Sequence, residues 1–565
     1  MSRNSSFFSI LIKMLVLAGI CLSPFTAWAV SPEIVPTYEN LGISWAAANR
    51  GSGQTARVQY RVQGSSAWND AQDLWYDARS GGEYKGSIVS LHSGTTYEVK
   101  LTLSPNGETV TALSSTWDNN FLSGDDVEFT RSSNATSGVT ISTSGTANDY
   151  YIYDCDGHTI DANGGDGITI GNGESYIVVR NCTITDADDG IYISPSAHHI
   201  VIEDNTITNF SRNGIYAHWN SNGHTTGYFT IQRNVIGPTT RDSQSWVRGH
   251  PNGPQGIQWW NGQNPSVIRY NKVFSDYDHM YNDTLGGGAN ANGESGFPGH
   301  DSDIYGNDIS HAWDEMIEAE GGSRNVRIWN NYLHDGNNMI ATVTVSDGPM
   351  YIFRNVFGNS QKWDCDESGS PCAPPNDDSD HWDRGYTFKI GANSGHGDGR
   401  VYIYHNTTLQ EDPGPGMTYT LGPRHFLKNT NDPTLNYVVK NNIADTAYYG
   451  GSKPYGYYWD PDNDKSDSSD CTNDVDYNLY NGNINDNCSS NPHEANGINN
   501  SPTYDSSTLF DPAAKEFSQA LAGNTLGYDD GVVLSNFNDG YVGSGPDMGA
   551  VEHGNAGFRI GVGTK

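Results

Sequence analysis

Basic residues are scarce in this chain. Its 565 residues include 31 Lys and Arg against 66 Asp and Glu, which gives a formal net charge of −35. Such acidity argues against nucleic acid and anionic membranes as partners, because both repel negative charge. It does not exclude an anionic polysaccharide, since a local basic groove can exist on a net acidic surface.

Long apolar runs are also missing, apart from one near the start. Residues 1–29 place Arg3 and Lys13 before the run MLVLAGICL and end on the tripeptide AWA. This is the pattern of a secretory signal peptide with its cleavage site. No other run is long enough to span a bilayer. The sequence therefore predicts a protein exported by a bacterium, extracellular or periplasmic, with no membrane partner.

Cysteine is rare, and six of the seven cysteines follow the signal peptide. An even number of cysteines in an exported chain predicts disulfides. Proximity favours the pairs Cys155–Cys182, Cys365–Cys372 and Cys471–Cys488, although other pairings stay open.

One short phrase recurs from Tyr151 to about Ile443: an apolar pair, one or two polar residues, Asn, one residue and an aliphatic. Its copies include IVIEDNTI, VRIWNNYL and YVVKNNI, and Cys182 takes the Asn place in IVVRNCTI. The repeated asparagines are Asn205, Asn234, Asn271, Asn307, Asn331, Asn355, Asn406 and Asn441. A period in the twenties made of short strands predicts a solenoid, and the Leu-rich consensus of leucine-rich repeats is absent. We expect an all-β, right-handed parallel β-helix in which Asn side chains stack from coil to coil.

The repeat divides the chain into a signal peptide (1–29), a small β-sandwich (31–117), the β-helix (118–450) and a C-terminal extension packed on it (451–565). The sandwich shows alternating strands such as ARVQYRV. Its stretch LHSGTTYEV, with Tyr97, and the upstream Trp45 resemble the fibronectin type III domain and its tyrosine corner. That resemblance implies a spacer, or a domain that packs on the catalytic part.

Two C-terminal segments resemble known motifs. The tail Gly545–Glu552 reads GPDMGAVE and is similar to the PDIGAxE ending of many exported β-helix proteins that act on polysaccharides, within the pectate-lyase-like superfamily. The segment Asp460–Asp470 resembles a calcium loop but lacks the Gly and the closing Glu of an EF-hand. It predicts either a bound Ca²⁺ or a disordered acidic loop.

The strand after each turn can be aligned between coils, and alternate residues then point outward. The inward residues are mainly apolar: Ile191, Ile193, Ile215, Ala217, Ile257, Trp259, Ile317, Ala319, Phe388 and Ile390. The first outward column contains Tyr192, Tyr216, Gln258, Tyr281, Glu318, Ala341 and Thr387, and the second His218, Trp260, Asp283, Glu320, Val343 and Lys389. Three long turns, 241–254, 286–299 and 361–384, flank these strands. We predict a groove in which Tyr216, His218, Gln258, Trp260, Tyr281 and Lys389 bind a polysaccharide, with aromatic rings against sugar faces.

Carboxylates in this groove predict glycoside hydrolysis. Glu318 and Glu320 share a strand face, about 6.5–7 Å apart, and Asp283 is expected about 4.8 Å from Glu320 on the next coil. One carboxyl kept protonated by its neighbours can donate to the leaving oxygen, while another activates water or attacks the sugar. This chemistry requires no cofactor. The alternative is that these acids bind Ca²⁺ or only solvate the turn.

A second acidic pair lies close by. The segment Trp313–Ile317, WDEMI, resembles the GDDCI phrase of the polygalacturonase-like glycosidases. The resemblance implies that Asp314 and Glu315 react together with an acid one coil earlier, which would be Asp278 or Asp283. The resemblance is partial, because Trp313 replaces Gly and no RIK-type segment follows.

Basic residues allow other functions. A polysaccharide lyase or uronan epimerase would use Lys389 or His218 as the base that takes the C5 proton of a uronate, with Ca²⁺ as a candidate cofactor. A glycan-binding or adhesive β-helix without catalysis is a third interpretation. We favour a monomeric, exported glycoside hydrolase with Glu318, Glu320 and Asp283 as catalytic residues, and with Asp314 and Glu315 as further candidates.

Overall fold

The computed structural model describes residues 30–105, 107–218, 227–241, 253–287, 296–360, 362–363, 382–383, 385–391, 396–409, 425–429, 436–445, 457–460, 472–484, 492–505, 516–517 and 520–563. Strands dominate this part of the chain, and its helical elements are two 3-10 turns, Arg79–Gly81 and Tyr277–His279. No described helix has the length and apolar character needed to cross a membrane. The predicted signal peptide lies outside the described residues.

Seven antiparallel strands form the N-terminal domain. They are Glu33–Pro36, Leu41–Trp45, Thr55–Val62, Asn69–Asp77, Glu83–Ile88, Thr96–Ser104 and Glu108–Ser115. In the strand Thr96–Ser104 alternate residues are buried, because its sequence alternates apolar and polar side chains. Trp45 is fully buried in the domain core. The Tyr97 hydroxyl accepts a hydrogen bond from the backbone N–H of His92 at 2.9 Å, the contact expected of a tyrosine corner. The resemblance to fibronectin type III domains stays a prediction.

The described residues between Val127 and Asn499 contain three parallel sheets of twelve strands each, which form the predicted β-helix. Sheet A contains Val127–Thr130, Tyr151–Asp154, Ser175–Arg180, His198–Glu203, Phe229–Gln232, Val267–Arg269, Asp303–Tyr305, Val326–Trp329, Met350–Phe353, Val401–Tyr404, Tyr437–Lys440 and Asp474–Asp476. Sheet B contains Thr159–Asp161, Thr183–Thr185, Thr206–Ile207, Val235–Ile236, Lys272–Val273, Asp308–Ser310, Tyr332–His334, Val356–Phe357, Thr407–Thr408, Ile443–Ala444, Leu479–Tyr480 and Ile498–Asn499. Sheet C contains Val139–Ile141, Ile168–Ile170, Ala187–Ile193, Phe210–Ala217, Gln255–Trp259, Leu285–Gly286, Glu315–Glu318, Asn338–Thr342, Tyr386–Ile390, His425–Asn429, Tyr457–Asp460 and Asn483–Ile484. Ile, Val and Leu side chains from all three sheets fill the interior.

Two short antiparallel pairs lie outside these sheets. One joins Lys362–Trp363 to Trp382–Asp383, and the other joins Glu516–Phe517 to Phe558–Arg559.

The repeated asparagines stack along the turn between sheets A and B. The Asn307 N–H and Nδ2 both donate to Oδ1 of Asn331, at 3.0 and 2.9 Å, and Nδ2 also donates to the Ile268 carbonyl. The ladder continues through Asn442, so the prediction of Asn441 was wrong by one residue. Asn441 takes the left-handed turn conformation before the ladder position (φ 60°), and its Nδ2 contacts His405.

The first coils are joined by the predicted disulfide between Cys155 and Cys182. The other four cysteines lie outside the described residues, as does most of the acidic segment after Asp460. The three sheets run on to Asn499, so the last coils belong to the segment predicted as a C-terminal extension.

The C-terminal residues 520–563 pack on the outside of the helix. Leu521 and Met548, for example, join Ile443 and Leu479 in one buried cluster. In the PDMGAVE tail, Asp547 accepts backbone N–H groups of Asp529 and His553, at 2.8 and 2.7 Å. The acidic residue of that motif therefore has a structural role.

Candidate active site

Sheet C presents the predicted outward column over its first coils. Tyr192 pairs with Tyr216, and Tyr216 with Gln258, in the expected register. The inward residues of these strands, such as Ile215 and Trp259, lie in the hydrophobic interior as predicted. The alternation of apolar and polar residues was sufficient to predict which side chains of these strands face inward, because each strand has one face in the core.

Beyond Gln258 the register differs from the prediction. Gly286, not Tyr281, pairs with Gln258. Tyr281 is fully buried, donates its hydroxyl hydrogen to the Phe274 carbonyl at 2.9 Å and stacks on Phe210. The prediction that Tyr281 faces outward into the groove was therefore wrong.

The column continues through Glu318, Ala341, Lys389 and Lys428. Lys389 therefore belongs to the first column, the same column as Glu318, and not to the second as predicted. Thr387, which the alignment placed there, is buried and its hydroxyl lies 3.3 Å from that of Thr408.

Three carboxylates meet at this point of sheet C. Asp283, Glu315 and Glu318 each offer an oxygen within 4.8 Å of the others. Asp283 precedes Gly286 by the same interval as Glu315 precedes Glu318, and the Thr284 N–H donates to the Glu315 carbonyl at 3.0 Å. Asp283 thus lies at the level of Glu315, and its predicted alignment with Glu320 was wrong.

Hydrogen bonds hold Asp283 in place. Its Oδ2 accepts from Gln255 Nε2 at 3.0 Å and from Asn282 Nδ2 at 2.7 Å, while Oδ1 accepts from the Glu315 N–H at 3.3 Å. With three donors around it, this carboxylate has a fixed orientation toward Glu315 and Glu318.

Backbone N–H groups hold the side chains of Glu318 and Glu320. Glu318 Oε2 accepts from the Gly287 N–H at 3.1 Å, and Glu320 Oε1 accepts from the Val343 N–H at 3.1 Å. A side chain at Gly286 would place Cβ only 3.0 Å from Glu318 Oε2, so glycine leaves room for the carboxylate.

Lys389 is the basic partner of this group. Its ammonium forms an ion pair with Glu315 Oε1 and lies 3.7 Å from Asp314 Oδ1. Asn338 Nδ2 also donates to that Asp314 oxygen, at 3.2 Å. The Lys389 side chain keeps 25% of its surface exposed, so it connects the buried acids with solvent.

The electrostatics of the cluster are unbalanced. Burial raises the pKa values of Asp283, Glu315, Glu318 and Glu320 well above the ordinary range, and the negative charge of neighbouring carboxyls raises them further. Burial alone would lower the pKa of Lys389, but Glu315 and Asp314 raise it above its usual value. One ammonium cannot neutralise four acids, so the cluster must hold protons or bind a cation.

The aromatic candidates lie along the same face, toward the N-terminal coils. The Tyr216 hydroxyl lies 3.3 Å from Nδ1 of His218, and the rings of Tyr192 and Tyr216 are 5.8 Å apart. Tyr216 and Glu318 are three strand spacings apart, about 14 Å. Tyr216, His218, Gln258 and Trp260 are all partly exposed, as a groove requires. Most of the three long turns lies outside the described residues.

Four residues near the cluster were not predicted from the sequence: Gln255, Asn282 and Asn338, which donate to its acids, and Lys428, which follows Lys389 in the column. A pattern that could have identified Gln255 is a row of buried polar residues on successive strands. In this row Asp189 pairs with Asn213, and Asn213 pairs with Gln255. Since Gln255 then donates to Asp283, this row leads into the carboxylate cluster.

Comparison with known proteins agrees with the fold. Residues 125–293 match the family described as a right handed beta helix region. Similar solved structures include pectate lyase Pel9A, at 14% identity and TM-score 0.35, covering 76% of this chain and 86% of that one. Another is the catalytic domain of a GH87 α-1,3-glucanase variant in complex with tetrasaccharides, at 11% identity and TM-score 0.30, covering 80% and 88%. No curated protein sequence matches the chain significantly. In its fold, the chain is a right-handed parallel β-helix that follows a small antiparallel domain.

Proposed function

We propose that this protein is a polysaccharide-processing enzyme, and that it cleaves uronate-containing chains by β-elimination with the help of a divalent cation. The main support is the contact of Lys389 with a cluster in which Asp283, Glu315 and Glu318 converge within 4.8 Å. Among the reactions open to a β-helix groove, this contact favours elimination over hydrolysis.

The donor set fits Ca²⁺. Carboxylate oxygens are the ligands that this hard cation prefers, and Asp283, Glu315 and Glu318 offer three of them in one place. Burial without enough positive charge makes the cluster costly unless it takes up protons or a cation. A bound cation would also bind the substrate carboxylate and acidify the adjacent C5 proton.

Lys389 is suited to act as the base. In elimination the C5–H bond breaks, its electron pair forms the C4=C5 double bond, and the C4–O bond breaks, so that the leaving oxygen finally takes up a proton. Lys389 lies beside the cluster and reaches solvent, where a sugar ring would enter. It becomes a base once Glu315 and Asp314 no longer hold it as an ammonium.

The remaining residues of the column suit an acidic sugar chain. Lys428 follows Lys389 on the next strand, and both can attract uronate carboxylates. At the other end, Tyr192 and Tyr216 offer rings to the apolar faces of sugars. A chain lying along sheet C would thus pass from aromatic to basic contacts over the carboxylate cluster.

Glycoside hydrolysis is the second candidate. Its two carboxyl groups stand about 5–5.5 Å apart for retention or 6.5–9.5 Å for inversion. One oxygen from each of Asp283, Glu315 and Glu318 lies within 4.8 Å of the others, near the shorter of these two separations. Glu320 supports hydrolysis, because its Oε2 is buried without a hydrogen-bond partner among the described residues and its carboxyl has a raised pKa. Such a group could donate a proton.

The decisive experiment follows two products at once. The mature protein is incubated with polygalacturonate, alginate and neutral glucans, with Ca²⁺ or with a chelator. We expect ultraviolet absorbance from unsaturated uronates on a uronate polymer, and its loss on chelation. Reducing ends without absorbance would instead establish the hydrolase.

Matched variants assign the base. Lys389→Met should abolish elimination, whereas Lys272→Met, at an exposed lysine 3.8 Å from Asp308 on sheet B, should leave the rate unchanged. Normal elimination by Lys389→Met would refute the role of Lys389.

A further inference from the structure

A cleft of about 460 Å³ lies where the N-terminal domain meets the first coils of the helix. Its walls come from the edge strand Glu33–Pro36, from Trp117 and Phe121 in the connection between the domains, and from Tyr150 and Tyr228 of the helix. Because Val201 and Thr230 of sheet A also line it, the cleft is on a different face from the carboxylate cluster of sheet C.

Two of three stacked rings, those of His199 and Tyr228, line the cleft. The rings of Tyr176 and His199 are 4.6 Å apart, and those of His199 and Tyr228 are 4.4 Å apart and nearly parallel. All three residues have a left-handed backbone, with φ of 55°, 55° and 59°, because they occupy the same turn in successive coils. Tyr228 ends the stack with 36% of its surface exposed.

Polar groups stand around these rings. Glu33 and Asp118 are exposed acids that line the cleft. The Nδ1 atoms of His199 and His198 are 2.7 Å apart, which leaves Nε2 of His199 for another partner. Burial lowers the pKa of His199 to about 4, so this ring is neutral at pH 7. The lining therefore carries negative charge beside aromatic faces.

We propose that this cleft binds a short neutral oligosaccharide, as a second carbohydrate site independent of the reaction proposed on sheet C. Aromatic rings pack against the apolar C–H face of a pyranose, and carboxylates accept hydrogen bonds from its hydroxyls. The volume is within the range of ligand sites, about 300–1,000 Å³. Glu33 and Asp118 would repel uronates, so the ligand class differs from that of the groove.

Binding of neutral tetrasaccharides tests this proposal. The full mature protein is titrated with cellotetraose, xylotetraose and mannotetraose by calorimetry, with tetragalacturonate as the charged probe, and mass spectrometry checks that each sugar stays intact. We expect at least one neutral sugar to bind. Tyr228→Asn, which removes the ring and keeps a residue suited to positive φ, should weaken that binding at least tenfold.

Tyr477→Asn is the matched control, because Tyr477 has φ of 60° and lies in the last coils. It should leave sugar binding unchanged. A Glu33→Gln variant should weaken neutral-sugar binding without a change of fold, since Glu33 is exposed. Absence of binding by all neutral probes, equal affinity in Tyr228→Asn, or loss of affinity in Tyr477→Asn would overturn the proposal. Elimination of uronates is measured separately, so failure of one assignment does not affect the other.

Discussion

The buried ion pair between Asp303 and Arg327 holds the N-terminal domain to the β-helix. Both side chains are fully buried on sheet A, with Arg327 Nε 2.6 Å from Asp303 Oδ1. The other Asp303 oxygen accepts from Asn40 Nδ2 at 2.9 Å and from the Thr37 hydroxyl, both in the N-terminal domain. We therefore expect Asp303→Leu to weaken both the pair and the domain contact.

The expected loss in the free energy of unfolding follows from the contacts that Asp303→Leu removes and from the buried Arg327 that it leaves. Removing one member of a buried pair leaves an uncompensated charge and costs about 3–5 kcal/mol. Two further hydrogen bonds to the N-terminal domain are lost, at about 1 kcal/mol each. The hydrogen-bond acceptors that Arg327 retains are neutral, such as the Asp301 carbonyl at 3.1 Å, and the acid that remains near it is Asp301. Asp303→Leu should therefore lower the free energy of unfolding by about 5–7 kcal/mol.

Urea unfolding of the protein, followed by tryptophan fluorescence, measures this change. Asp70→Ala is the control, because it breaks the exposed pair with Arg57 and should cost no more than about 1 kcal/mol. The double variant Asp303→Leu, Arg327→Met should recover part of the loss, since no buried charge remains. If Asp303→Leu costs as little as the control, the pair does not stabilise the domain contact.

Three further predictions concern the ladder, the cluster and pH. Asn331→Leu removes the oxygen that accepts two hydrogen bonds from Asn307, and it removes the Nδ2 bonds to Ile304 and Asn355. It should lower the free energy of unfolding in urea by about 3–6 kcal/mol. Thr206→Ala, at an exposed position, should cost little, and equal unfolding midpoints for the two variants would contradict the role of the ladder. Glu318→Gln should weaken Ca²⁺ binding at least tenfold by calorimetry, while Glu98→Gln in the N-terminal domain should not; unchanged affinity would remove Glu318 from the cation site. Burial lowers the pKa of His334, but Asp308 and Asp335 raise it to about 9, above the value in the unfolded chain. The stabilisation that protonated His334 contributes is therefore complete below about pH 6.5 and is lost as the pH rises through 9. The melting temperatures of the parent and His334→Gln should therefore differ at pH 6 and converge above pH 9, and a constant difference would contradict this assignment.

The repeat determined most of the fold from the sequence alone. Each copy carries its own strand pattern and its Asn, and each coil contacts mainly its neighbours, so local signals suffice for a solenoid. The inward residues such as Ile215 and the pairing of Tyr216 with Gln258 followed for the same reason. The sequence did not predict that Asn442 occupies the ladder position, because the adjacent Asn441 fits the repeat equally well. Only the left-handed backbone of Asn441 distinguishes the two residues.

The candidate site was predicted in composition but not in arrangement. Asp283, Asp314, Glu315, Glu318, Glu320 and Lys389 were all candidates, and the structure groups them through hydrogen bonds, ion pairs or burial at one place on sheet C. Which carboxylates converge depends on register across turns of unequal length. In the observed register Tyr281 is buried and Asp283 lies beside Glu315.

The sequence by itself determined the β-helix, the residues of its core and the set of acids on one face, because these depend on alternation within single strands. Tertiary structure alone decided that Lys389 is paired with Glu315, that Gln255 orients Asp283, and that two domains enclose a cleft. These contacts join residues distant in the chain, and their geometry depends on coil stacking and turn length, which no local pattern specifies.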